Sequence, residues 1–126
     1  MLLRAYTLDD AAAVHAINQA EVPAVGTETP TDLAHIAAES AVALVAEIAG
    51  EIAGFCFVLA PGADYESMNY RWFSEHYVDF VYLDRVAISP RFQRRGLGRA
   101  MYAEVERRAR DLRPSATHFT LEVNLR

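Results

Sequence analysis

One stretch of the sequence decides the fold: Asp84-Arg85-Val86-Ala87-Ile88-Ser89-Pro90-Arg91-Phe92-Gln93-Arg94-Arg95-Gly96-Leu97-Gly98-Arg99. It predicts an apolar strand, a turn rich in arginine and glycine, and the start of an amphipathic helix. Gly96 and Gly98 have no Cβ, so a ligand can approach the backbone closely, and the first N–H groups of a helix have no intrahelical acceptor. With the positive end of the helix dipole, these donors favour a phosphate group.

Four polar side chains surround this turn and add further donors: Gln93, Arg94, Arg95 and Arg99. An arginine guanidinium can bind phosphate oxygens through two parallel hydrogen bonds. The turn is neither of the two common nucleotide-binding loops, because no Lys-Ser/Thr follows the glycines and the full G-x-G-x-x-G is absent. A short G-x-G is also compatible with a tight strand-to-helix turn that binds nothing. The prediction of a phosphate site therefore rests on the whole string of residues 84–99.

The string resembles the acetyl-CoA-binding motif of the GNAT superfamily of N-acetyltransferases, V-x-I/V-x-P-x-x-Q/R-x-x-G-x-G/A. Six positions match it: Val86, Ile88, Pro90, Gln93, Gly96 and Gly98. The resemblance implies an α/β (α+β) fold, in which helices flank a mixed, mainly antiparallel central sheet. The element order expected from the sequence is β-α-α-β-β-β-α-β, in a single acyl-CoA-binding domain over residues 1–126.

Local patterns place these elements along the chain. Strands are predicted over 2–6, 42–49, 52–59, 78–88 and 118–123, and helices over about 7–20, 31–40 and 97–112. The second and third strands form a hairpin whose two-residue turn is Gly50-Glu51. In the fourth strand, period-two alternation places Tyr82, Asp84, Val86 and Ile88 on one face. Residues 61–76 are predicted to be a long aromatic loop, either a lid over substrate or a contact with a second chain of a homodimer.

Charge is unevenly distributed along this chain of 126 residues, whose net charge is −5. Residues 1–90 hold 3 arginines and 13 acidic residues, whereas residues 91–126 hold 9 arginines and 4 acidic residues. Because the acidic part would repel a polyanion, the pattern disfavours nucleic acid and favours a small anionic ligand.

Cysteine use and hydropathy bear on the compartment. Cys56 is the single cysteine, so an intramolecular disulfide and a thiolate-rich metal site are excluded, and a reducing compartment is expected. The first residues lack the features of a signal peptide, and no apolar run approaches membrane-spanning length. The sequence therefore predicts a soluble cytoplasmic protein with no membrane partner.

The resemblance implies a site for acetyl-CoA as the acyl-donor cosubstrate, without a metal. Its cofactor-binding residues would be Val86, Ala87, Ile88, Gln93, Arg94, Arg95, Gly96, Leu97, Gly98 and Arg99. The pantetheine arm would pair with strand four where strands four and five splay apart, and the Val86 N–H would stabilise the oxyanion.

An amine acceptor must lose a proton before it attacks, so a carboxylate is the expected base. Asp84 is the first candidate, and a salt bridge with Arg85 is the alternative interpretation of that residue. Tyr82 is the second candidate, as a proton relay or acceptor contact. In the family, the segment between the first two helices lines the acceptor side, which makes Glu21 and Glu28 candidate contacts for a cationic amine, with Glu21 retained as the substrate-binding candidate. A solvated acidic loop is the alternative.

Family members usually continue beyond strand five with a helix and two strands, so residues 1–126 are expected to be incomplete at the C-terminal end relative to the family. The sequence thus predicts an N-acetyltransferase that acts on an unidentified amine, either a small molecule or a protein terminus. The alternatives are a non-catalytic acyl-CoA-binding module and an arginine-rich polyanion-binding domain.

Overall fold

The computed structural model describes residues 1–116 and 118–121. The elements are β1 (Leu2–Ala5), α1 (Ala11–Ala20), α2 (Pro30–Glu39), β2 (Val42–Ile48), β3 (Glu51–Leu59), α3 (Met68–His76), β4 (Phe80–Ile88), α4 (Leu97–Leu112) and β5 (His118–Leu121), with short 3-10 turns at Leu8–Asp10 and Pro90–Phe92. The five strands form one sheet in the order β1-β2-β3-β4-β5. Strands β1 to β4 are antiparallel and β5 is parallel to β4, so the predicted mixed, mainly antiparallel sheet flanked by helices is confirmed.

Strand β3 lies in the middle of the sheet and is covered on both faces. Cys56 and Val58 pack with the apolar face of α4, whereas Phe55 and Phe57 pack with α1 and α2. The continuous apolar run in this strand has this physical reason, because neither face of a central strand meets water.

The β2–β3 hairpin turns one residue earlier than the sequence pattern suggested. Its two turn residues are Ala49 and Gly50, with φ of 52° and 80°, and Glu51 already pairs with Ile48. Positive φ at both positions matches the twist of the flanking strands, and glycine adopts it without strain.

The prediction of an irregular loop over 61–76 is wrong for its second half, which forms helix α3. The Ser67 hydroxyl accepts a hydrogen bond from the Tyr70 N–H at the start of this helix. Tyr70 is buried and packs on Leu59 and Phe80, so tertiary contacts stabilise a helix whose residues have modest helix propensity. Trp72 remains 48% exposed on the outer face. The roles of lid and dimer contact stay predictions.

A β-bulge in β4 overturns the predicted single face of Tyr82, Asp84, Val86 and Ile88. Phe57 pairs with Arg85 and Val58 pairs with Leu83, so Asp84 is the extra residue between them. The extra residue reverses the alternation that follows it. Tyr82 consequently packs on the α3 side, while Val86 and Ile88 pack on the α4 side.

Within residues 1–116 and 118–121, no helix combines the length and apolar character needed to cross a membrane.

Candidate active site

The turn before α4 has the geometry that its glycines predicted. Gly96 has a φ of 77°, in the left-handed region, and α4 begins at the next residue. A Cβ built on Gly96 or Gly98 would meet no heavy atom within 4 Å. The start of α4 therefore presents backbone N–H groups to open space, where an anion can approach them.

Gln93 fixes this turn through its side chain. Its Nε2 donates to the Ile88 carbonyl at 3.0 Å and to Glu21 Oε1 at 2.7 Å. The structure thus brings together a predicted cofactor residue and the predicted acceptor residue, since Glu21 lies at the end of α1 beside the turn. The Glu21 carboxylate is held by this contact, and its role towards the acceptor stays a prediction.

The arginines of the turn differ in how their charge is used. Arg91 pairs with Glu51 at 2.5 Å, and the guanidinium groups of Arg91 and Arg95 lie 5.4 and 5.6 Å from the centre of the Phe92 ring. Within the part of the chain that the structure describes, Arg94 and Arg99 form no ion pair with an acidic side chain. Their exposed guanidinium groups can therefore serve an anionic ligand.

The backbone of Val86, Ala87 and Ile88 lies in β4, where it pairs with Cys56, Phe55 and Gly54 of β3. A Cβ on Gly54 would lie 2.9 Å from the Ala87 carbonyl oxygen, so this glycine permits the close approach of the two strands just before the turn. The parallel pairing with β5 runs as far as Leu83 and Leu121. The predicted splaying of strands four and five, and residues 122 and 123 of predicted strand five, lie outside the described residues.

Asp84 is a nearly buried carboxylate whose side chain is 6% exposed. The Tyr65 hydroxyl donates to its Oδ1 at 2.9 Å, and Arg85 Nε donates to its Oδ2 at 3.2 Å. Burial raises the pKa of Asp84 above its ordinary value, and this effect outweighs the opposing influence of Arg85 and of the Tyr65 hydrogen bond. The salt bridge with Arg85 and the raised pKa expected of a base are thus both present in one side chain.

Arg85 is the centre of a polar network that the sequence interpretation had given only as a partner of Asp84. The residue is 7% exposed and donates to Glu28 Oε1 at 2.5 Å, to the Gly26 carbonyl at 2.7 Å and to Asn18 Oδ1 at 3.0 Å. These contacts join β4 to α1 and to the loop that follows it. An arginine inside an apolar strand was the available signal, because a buried guanidinium requires acceptors.

A cavity of about 660 Å³ lies beside this network. It is lined by Glu28, Asp32, His35, Ile36, Asp64, Tyr65, Glu66 and Ser67. Glu28 and Tyr65 line the cavity and also contact Arg85 and Asp84, respectively. Four carboxylates in this wall favour a cationic ligand.

Tyr82, the second predicted catalytic residue, is 3% exposed and belongs to the aromatic cluster under α3. Its ring lies 5.8 Å from Tyr70 and 5.4 Å from Phe73, between ring centres. Its catalytic role stays a prediction. In the described ranges 1–116 and 118–121, no group of three or more His, Cys, Asp or Glu residues could hold a metal ion.

The model of the acetyltransferase (GNAT) family matches residues 11–125. No curated protein matches the chain.

Several solved structures are similar to this one. An aminoglycoside 6′-N-acetyltransferase from Acinetobacter haemolyticus matches with 12% identity and a TM-score of 0.73, over 99% of this chain and 81% of that one. A GNAT family acetyltransferase from Brucella melitensis, in complex with acetyl-CoA, matches with 22% identity and a TM-score of 0.65, over 98% of this chain and 76% of that one. A ribosomal-protein-alanine N-acetyltransferase from Brucella melitensis biovar Abortus matches with 15% identity and a TM-score of 0.68, over 98% and 79% of the two chains.

Proposed function

The chain belongs to the acetyltransferase (GNAT) family, and from that premise we propose that it transfers an acetyl group from acetyl-CoA to a primary amine by direct attack. The observation that carries the proposal is the start of α4, where a left-handed Gly96 and an open Gly98 present backbone donors beside exposed arginines. This arrangement suits a pyrophosphate.

We place acetyl-CoA along β4 and the turn that follows it. The pyrophosphate would bind the N–H groups between Arg94 and Arg99, and the pantetheine arm would pair with the backbone at Ala87 and Ile88. The Val86 N–H would donate to the thioester carbonyl as negative charge develops on its oxygen. Support comes from the close packing at Gly54, which fixes this part of β4, and from the similar Brucella melitensis structure that contains acetyl-CoA.

The acceptor amine would enter the acidic cavity, where Glu28 and its neighbours attract a cation. Asp84 would act as the base, since its pKa is raised by burial and it lies two residues before Val86. Tyr82 remains the second candidate for proton transfer, and Glu21, held by Gln93, is retained as a candidate acceptor contact. The acceptor is either a small molecule or a protein terminus.

Calorimetric titration with acetyl-CoA tests the first half of this proposal, and release of the CoA thiol with amine probes tests the second. The probes are neamine, N-acetyl-lysine amide and a peptide with N-terminal alanine. We expect micromolar binding and turnover of at least one probe. Binding without turnover would support a non-catalytic acyl-CoA-binding module, and salt-dependent binding of a polyanion without acetyl-CoA binding would support the polyanion-binding alternative.

Asp84→Asn is expected to lower kcat about 100-fold or more while acetyl-CoA affinity stays unchanged, because a general base contributes roughly 10²–10⁴ to the rate. The base must be ionised, so wild-type kcat/KM should fall as the pH drops through the pKa of Asp84, which is raised from its ordinary value. The variant should lose this acid limb. Initial rates measured across the pH range check both expectations.

Asp9→Asn, on the exposed turn before α1, is the matched control and should keep the wild-type profile. An acid limb that persists in Asp84→Asn would assign the base to another residue.

Location and assembly complete the proposal. A cytoplasmic location is proposed from the single cysteine, Cys56, which is buried and free. A homodimer that uses the outer face of α3 is proposed from the exposed side chains of Met68 and Trp72. Sedimentation of the purified protein tests the second point.

A further inference from the structure

We propose that Tyr65 carries the proton of the acceptor amine to Asp84, an inference that rests on the proposed acetyl transfer. Tyr65 lines the acidic cavity, and its hydroxyl donates to Asp84 Oδ1 at 2.9 Å. Asp84 itself is not among the residues that line the cavity.

The burial of Asp84 is the reason why a relay is needed. Its side chain is almost fully covered, and each carboxylate oxygen already has a partner, Tyr65 on Oδ1 and Arg85 on Oδ2. An amine in the cavity therefore meets Tyr65 before it meets the carboxylate. A group within hydrogen-bond reach of both sides can pass a proton between them.

The Tyr65 ring is held in place by its surroundings. Its ring centre lies 5.8 Å from that of Tyr70, and its backbone N–H donates to the Ala63 carbonyl at 3.0 Å. Next to it, the Asp64 N–H donates to Glu39 Oε1 at 2.7 Å, which ties this loop to α2. The hydroxyl is consequently kept beside Asp84 before any acceptor binds.

Charged and titratable groups face the pair from every element around it. They are Cys56 on β3, Arg85 on β4, Tyr70 on α3, Glu28 in the loop after α1, and the cavity residues Asp32, His35, Asp64 and Glu66. Burial and the neighbouring Asp84 both raise the pKa of Tyr65, so the hydroxyl stays protonated. A tyrosine in this state can pass a proton on but does not store one.

The relay moves one proton from the acceptor ammonium group to Asp84. The Tyr65 oxygen accepts a proton from the ammonium group while its own proton moves to Asp84 Oδ1, so Tyr65 ends neutral and Asp84 is protonated. The neutral amine forms the new C–N bond at the acyl carbon, and the C–S bond breaks. The second amine proton goes to the departing thiolate, and Asp84 returns its proton to solvent through Tyr65 after the product leaves.

Tyr65→Phe tests the relay with two amines of different basicity. The peptide with N-terminal alanine has an amine pKa of about 8, and N-acetyl-lysine amide has one of about 10.4. At pH 7 we expect kcat/KM to fall about 100-fold with either probe that is turned over. The difference in kcat/KM between Tyr65→Phe and wild type should disappear above the pKa of the amine used, because a neutral amine needs no base.

Tyr6→Phe is the control, since Tyr6 packs against Phe57 in the core layer of α1 and α2 and lies outside the cavity. Tyr65→His should recover part of the rate, because an imidazole can also pass a proton. The Tyr65→His variant still tests the relay if Tyr65→Phe fails to fold.

The outcomes separate the relay from the proposed function. A fall in kcat/KM of Tyr65→Phe that disappears above the pKa of each amine supports the relay. A fall that is independent of pH, or no fall, overturns the relay and leaves the proposed acetyl transfer intact. Wild-type protein that binds acetyl-CoA but turns over no probe overturns the proposed transfer, and the relay with it.

Discussion

Gly98→Trp is expected to weaken acetyl-CoA binding at least about 100-fold without unfolding the protein. Gly98 lies in the first turn of α4 with open space beside it, so a large side chain fits the fold but covers the N–H groups that would bind the pyrophosphate. Hydrogen bonds to charged groups contribute about 1.5–3 kcal/mol each, and every 1.4 kcal/mol is about tenfold in affinity. Loss of two such bonds gives the expected effect, which calorimetric titration measures directly.

Substitution of Gly98 rather than Gly96 distinguishes a loss of acetyl-CoA binding from an effect of backbone strain. Gly96 has a φ of 77°, so tryptophan there would also strain the backbone, whereas Gly98 lies inside the helix. Ala103→Trp, on an exposed position further along α4, is the control for bulk on this helix and should bind acetyl-CoA like wild type. Equal affinity in Gly98→Trp and wild type would remove the pyrophosphate from the start of α4.

The turn was predictable because everything that forms it is contiguous. Pro90, Gly96 and Gly98 act on neighbouring backbone, so their spacing alone indicates the strand, the turn and the helix. The five strands along the chain and the double-sided burial of β3 were predictable for the same reason, because each is written in a local run of residues. Helix α3 was not, because its helical state depends on contacts of Tyr70 with strands distant in sequence.

The bulge at Asp84 explains why the site was harder to predict than the fold. Period-two alternation has no signal for one extra residue, which moves Val86 and Ile88 to the α4 side. Apart from the adjacent Asp84, the partners of Arg85 lie 57 to 67 positions away in the sequence. Their contact depends on the packing of α1 against the sheet, which no local pattern encodes.

Arg85→Met is expected to destabilise the protein by about 3–5 kcal/mol, the cost of breaking a buried ion pair from one side. The change leaves Glu28 and Asp84 without their cation and removes a donor from the Gly26 carbonyl and from Asn18. Methionine fills much of the volume of arginine, so lost packing contributes little. Urea denaturation at pH 7 measures the effect.

The pH dependence of this deficit identifies its cause. Without Arg85, the pKa of Asp84 should rise beyond its already raised value, because the guanidinium is the main charge that lowers it. The loss in free energy of unfolding arises from the ionised Asp84 carboxylate in the folded state. This loss should therefore become smaller as the pH falls from 7 through that pKa. Arg110→Met breaks an exposed pair with Glu106, at 78% and 53% exposure, and should cost less than about 1 kcal/mol at any pH. A similar loss in free energy of unfolding in Arg85→Met and Arg110→Met would mean that the Arg85 network does not hold α1 and its loop on the sheet. The wall of the acidic cavity beside Asp84 would then not be fixed by this network.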